Sequence, residues 1–211
     1  LTELLNKIIK VKVSDDSSIE KNKDAYKLYL EAINLWNERT LQSFDKAISL
    51  LEKAIKIDNK FSLAYCLLAD CHIMHAGQGL LKDEKKHKLK ADKYIKMAEE
   101  LGDSSAEFYT VKANLLDYDQ INKKIDYLRT AIKINPNYAT AHHRLALSLS
   151  MKGEQTDALK SIERAVSLDP NSPVILTAAA IEFRRSDKYE KSLKMYHKLK
   201  SDFPDFWSID I

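Results

Sequence analysis

Residues 137–170 read NYATAHHRLALSLSMKGEQTDALKSIERAVSLDP, and this stretch decides the fold. Ala141, Leu145, Ala146 and Leu149 recur at helical spacing, and Gly153 stops that helix. Ala158, Leu159, Ile162, Ala165 and Val166 recur in a second helix, which ends at Asp169-Pro170. The unit is a helix pair of about 34 residues, a length typical of helical repeats. One such hairpin cannot bury its apolar stripe alone, so copies must stack to make a core.

Working outward, the pattern returns on both sides. The preceding copy (105–138) carries Phe108, Val111 and Leu115, then Ile125, Leu128 and Ala131, and closes at Pro136. Ser104 with Glu107 three residues on reads as its capping box. The following copy (173–206) opens on Ser172-Pro173, a cap followed by a proline whose missing N–H costs nothing there. It continues through Ala179, Ala180 and Phe183 to Leu193, Tyr196, Leu199 and Pro204. The copy at 25–61 has Asp24 placed to cap AYKLYLEAINLWNE, then Ala47, Ile48, Leu51 and Ala54. The copy at 62–104 uses Leu68 and Ala69. Gly77 and Gly79 end its first helix, LLKDEKKHK is inserted, and Ala91, Ile95 and Ala98 lead to Gly102.

The expected organisation is therefore all-α. An amphipathic helix and polar linker occupy residues 1–23, an array of about five repeats spans 25–204, and a tail covers 205–211. In the first segment Leu1, Leu4, Leu5, Ile8 and Ile9 form one stripe opposite lysines, and Ser14 to Lys23 is polar enough to read as the linker.

Composition limits the function. The chain has 211 residues with 34 Lys and Arg against 31 Asp and Glu, and a net charge of +3 is too small to imply a nucleic-acid partner. Only four Gly and four Pro occur, as suits helices joined by short turns. No apolar run approaches the roughly 20 residues of a membrane span, and no signal peptide is visible. The chain starts at Leu1 without Met and reads as a piece of a longer protein. Cys66 and Cys71 stand five apart on one helix, about 140° around its axis, which rules out a disulfide between them. Free thiols favour a reducing compartment, hence the cytoplasm.

Candidate chemistry is sparse. Cys66, Cys71, His72 and His75 are the best metal-ligand set, but one helix cannot easily supply four tetrahedral ligands. His72 also fills the slot that Leu115, Leu149 and Phe183 fill in other copies, which marks it as a core histidine. His142 and His143 point in two directions around a helix. No glycine-rich phosphate loop and no nucleophile–base order can be found. The sequence thus assigns no catalytic residue, metal or cofactor, and reads as non-enzymatic. Residues 81–93 are locally basic through Lys82, Lys85, Lys86, Lys88, Lys90 and Lys93, and read as a solvated loop and first helical turn.

Small and large apolar residues at fixed offsets, with closing prolines, resemble the tetratricopeptide repeat (TPR). The resemblance implies a superhelix, an α–α solenoid, whose first helices line a concave groove. It places groove positions at Tyr29, Ile33 and Trp36, then Cys66, Asp70 and Ile73, then Tyr109, Ala113 and Leu116. The last two copies add His143, Leu147 and Ser150, then Thr177, Ile181 and Arg184. The Lys, Asn and Arg set with which some family members clamp a C-terminal carboxylate is missing. The groove is instead apolar and aromatic, which implies a protein or peptide occupant such as an amphipathic helix, from a partner or from residues 1–13. Phe206, Trp207, Ile209 and Ile211 leave the far end apolar, pointing to truncation or to a homodimer through the terminal repeat.

A narrower resemblance covers residues 25–70. Ala25, Tyr26, Leu28, Tyr29, Leu30, Trp36, Asn37, Arg39 and Thr40 are similar to the start of the repeat region in bacterial CadC-type winged-helix regulators and adenylate cyclase-like signalling proteins. Ala32 replaces a glycine common there, a small-for-small change. LTELLNKIIKVKV resembles the segment joining those repeats to a preceding TolB-type domain. The resemblance implies a C-terminal sensory or interaction region of a transcriptional regulator, with no nucleic-acid contact by this segment, placed in the cytoplasm or, in regulators that span the inner membrane, in the periplasm. A free-standing adaptor made only of repeats is the alternative.

Overall fold

The computed structural model describes residues 16–78, 81–204 and 206, with side chains from 22–76, 84–204 and 206. Residues 1–13, which the sequence reads as an amphipathic helix, lie outside this set. The described residues are helical hairpins without strands, and they form two units divided between Asp103 and Ser104.

The first unit contains α1 (Asp16–Glu38), α2 (Leu41–Ile57), α3 (Ser62–Gln78) and α4 (Leu81–Glu100), each packed on the next. Arg39, in the left-handed region at φ 59°, turns the chain between α1 and α2. Thr40 then caps α2: its hydroxyl accepts the Ser43 N–H at 3.0 Å, and the Ser43 hydroxyl accepts the Thr40 N–H at 3.1 Å. Two donors left over at the helix start are thereby satisfied. The core interleaves Ala25 and Ala32 of α1 with Ala47, Leu51 and Ala54 of α2 and Ala64, Leu68 and Cys71 of α3. Alanines at the crossings let neighbouring helices approach closely, and the larger side chains fill the spaces beside them. Both cysteines are buried, and neither is in a disulfide.

The second unit contains α5 (Ala106–Leu115), a 3₁₀ turn (Tyr118–Gln120), α6 (Ile121–Ile134), α7 (Ala139–Lys152), α8 (Gln155–Leu168), α9 (Pro173–Arg185) and α10 (Tyr189–Asp202). Ala113, Ile125, Leu128, Leu145, Leu149 and Ala158 form one part of its core. Ala146, Ile162, Ala165, Ile175, Ala179 and Phe183 form another. Ser172 caps α9, with Pro173 in the first turn as expected.

Local expectations are corrected at four places. The Ser14–Lys23 linker is helical from Asp16 onward, so Asp24 lies inside α1 and cannot cap it. That stretch is polar but holds neither Gly nor Pro, so nothing in it stops a helix. Residues 81–88 of LLKDEKKHK are helical, within α4, where the sequence reads a loop leading into a first helical turn. The cap of α5 is Ser105, whose hydroxyl accepts the Phe108 N–H at 3.1 Å, one residue later than Ser104. Leu193 is 56% exposed, whereas Ser192 and Leu199 are buried.

Gly153 ends α7 at φ 87°, as its sequence position requires, and a Cβ there would meet nothing within 4 Å. The cost of Gly153→Ala is therefore a backbone cost alone, about 1 kcal/mol. A thermal melt should fall by about 4 °C for a unit of this size. No change would mean that the turn relaxes out of the left-handed region.

Candidate interaction surface

In the first unit, Tyr29, Ile33 and Trp36 of α1 and Ile73 of α3 are half-buried and keep accessible surface. Tyr29 belongs to an aromatic cluster, with ring centroids 5.9 Å from Tyr26 and 5.1 Å from Phe61. The Arg39 guanidinium stacks on Trp36, 3.4 Å from the ring centroid. The Trp36 indole Nε1 is buried without a hydrogen-bond acceptor. Cys66 and Asp70, placed in the groove by repeat register, are buried instead. The Cys66 thiol donates to Asp103 Oδ2 at 3.5 Å. Burial, reinforced by Asp70, holds the Cys71 thiol well above its ordinary value, so it is no ready nucleophile.

In the second unit, Tyr109, Leu116, Leu147, Thr177 and Ile181 are half-buried, and Arg184 is exposed. Ala113 is buried. Tyr109 packs edge-on to Phe108 at 5.3 Å and lies 6.0 Å from Tyr127. The Thr177 hydroxyl donates back to the Pro173 carbonyl at 2.8 Å. His143 is buried, while His142 lies 3.0 Å from the Pro136 carbonyl. Phe206 is half-buried and Trp207 lies outside the described residues.

A cluster on α3 and α4 is only half legible in the sequence. His72 is buried, and His75 sits 3.2 Å from Asp45 of α2. The third member, His87, comes from the stretch read as a loop: its Nδ1 is 3.0 Å from His72 Nδ1, and its ring stacks on His75 at 3.9 Å. The signal that could have found it is spacing, since a helix from Leu81 turns His87, Lys90 and Tyr94 to one side. Among the described residues, no group of three or more His, Cys, Asp or Glu is arranged to hold a metal ion. No described helix is long and apolar enough to cross a membrane.

No protein-family model matches the chain. Among solved structures, the chain is similar to TTC0263, a TPR protein of Thermus thermophilus, with TM-score 0.57 and 20% identity over 88% of this chain and 94% of that one. It is also similar to human IFIT1, solved as a dimer with PPP-AAAA, with TM-score 0.60 and 17% identity over 86% of this chain and 41% of that one. In sequence it resembles the transcriptional regulator HilA of Salmonella typhimurium, 24% identical over 149 residues, 70% of this chain. The chain spans 27% of that regulator's length.

Proposed function

We propose that this chain, whose fold is that of the tetratricopeptide repeat, is a non-enzymatic module that binds a protein or peptide segment along its first helices. The observation that carries the reading is the recurrence of half-buried apolar and aromatic side chains there: Tyr29, Ile33 and Trp36 in one unit, Tyr109, Leu147 and Ile181 in the other. Within either unit such surface favours an amphipathic helix, whose apolar side would cover it. Burial of Cys66, Asp70 and His143 narrows the contact set to these residues with Ile73, Leu116, Thr177 and Arg184.

The finer part of the proposal is that the module belongs to a bacterial transcriptional regulator whose DNA-binding domain is separate from these residues. The HilA similarity supports it, as does the resemblance of residues 25–70 to the start of the repeat region in such regulators. A free-standing adaptor and a cyclase-like signalling protein are the other readings. The gene sequence upstream of Leu1 separates them: a winged-helix domain supports the first, a start codon there the second.

Affinity capture with the intact chain, set against Trp36→Ala and Tyr109→Ala, tests the binding surface. Each truncation should weaken capture by about tenfold or more, the scale of an aromatic anchor. Unchanged capture by both variants, with melts like the parent, would reject the first-helix surface.

A further inference from the structure

The start of α4 is attached differently from the starts of α2, α6 and α8. Ala47 and Leu51 in α2, Ile125 and Leu128 in α6, and Ala158 and Ile162 in α8 anchor those helices with apolar side chains. In α4, which begins at Leu81, the fully buried apolar residues among those described start only at Ala91. Between 84 and 90, Lys85, Lys86, Lys88 and Leu89 are exposed, and Glu84, His87 and Lys90 are half-buried. The His87 imidazole ties this stretch to α3, against His72 and His75.

A 3.0 Å contact between two Nδ1 atoms has a definite chemical requirement. One nitrogen donates, so the other must carry a lone pair; two imidazolium rings would bring N–H against N–H. We propose that residues 84–90 are an acid-released latch, closed on α3 by the His72–His87 contact at neutral pH and freed when both rings take up protons.

The surrounding charges favour release. Lys86 and Lys90 of α4 face His72, and His75 of α3 adds to the repulsion. On α2, Asp45 lies 3.2 Å from His75, but its carboxylate is 68% exposed and so a weak counter-charge to this cluster. Glu52 of α2 is engaged 3.5 Å from the Tyr94 hydroxyl, and Asp70 and Arg39 act on Cys71. Burial above all, then His87, Lys90, His75 and Lys86, lowers His72 from 6.5 to about 3. A depressed histidine is neutral in both states above pH 6.5, so the closed form is fully favoured there. Its advantage is lost as pH falls from 6.5 toward 3.

Amide hydrogen exchange of the full chain, corrected for intrinsic rate, reads this equilibrium by segment. Between pH 7 and pH 5, protection of residues 84–90 should fall by about 25-fold, the linkage expected for one such histidine. Residues 41–57 and 91–100 should hold theirs. His87→Phe keeps a ring against α3 without the Nδ1–Nδ1 contact, and the pH response of 84–90 should shrink in it, since burial, His75 and the nearby lysines, but no longer His87, then oppose a proton on His72. His72→Phe removes the same contact from the other side and serves if the first variant does not fold. Equal protection at both pH values, a loss spread evenly over α2 to α4, or a full response in a folded variant would each overturn the latch.

Discussion

Gln155→Ala with Arg185→Ala is expected to lower the unfolding free energy of the second unit by about 3 to 5 kcal/mol. Glu182, on α9, is fully buried, an unusual place for a carboxylate. The side chain is held by two donors. Gln155 Nε2 of α8 reaches Oε2 at 3.0 Å, and Arg185 Nη1, one turn along α9, reaches Oε1 at 2.9 Å. The same Gln155 nitrogen also donates to the Ser186 hydroxyl at 3.1 Å, and Arg185 to the Ser150 hydroxyl at 3.2 Å. Removing both donors strands a charge in the core, which costs far more than an exposed ion pair is worth. Glu182→Leu in that double background removes the charge along with its unmet need, and should recover most of the loss. Urea denaturation followed by circular dichroism checks both. A double variant within 1 kcal/mol of the parent (roughly the net worth of one hydrogen bond) would show that water or another donor reaches Glu182.

The second large effect contrasts two leucines of the same unit. Leu128 of α6 is fully buried beside Ala113, Leu145 and Leu149, so Leu128→Ala should cost about 3 kcal/mol through lost burial and a residual cavity. Leu193 of α10 is 56% exposed, and Leu193→Ala should stay within about 0.5 kcal/mol. Comparable losses at both positions would mean that the exposed face of α10 is covered in solution, and a mass measurement would then say by what. The sequence does not separate these residues, because both fall on the apolar stripe of a second helix.

Element type and pairing were legible wherever the small-and-large pattern ran without interruption. Residues 137–170 fold as read, from the left-handed Gly153 to the end of α8 ahead of Pro170. Errors gathered where polar composition stood in for a break. Residues 16–23 and 81–88 are rich in charged and polar side chains, yet such residues are tolerated in a helix whose face is solvated. The accessibility of the expected groove residues was not legible. Register placed them on the first helices, but Cys66, Asp70 and His143 are buried there, because their accessibility depends on neighbours that register does not specify.

By itself the sequence determined the all-helical repeat class, the hairpin pairing and the absence of a disulfide between Cys66 and Cys71. Each follows from local spacing: 3.6 residues per turn, a glycine able to turn left-handed, and two thiols on different sides of one helix. Only the tertiary structure decided that His87 meets His72, that Gln155 and Arg185 converge on Glu182, and that Leu193 is left uncovered. Those are contacts between residues on different helices or around a buried group, and their distances are set by how the helices pack.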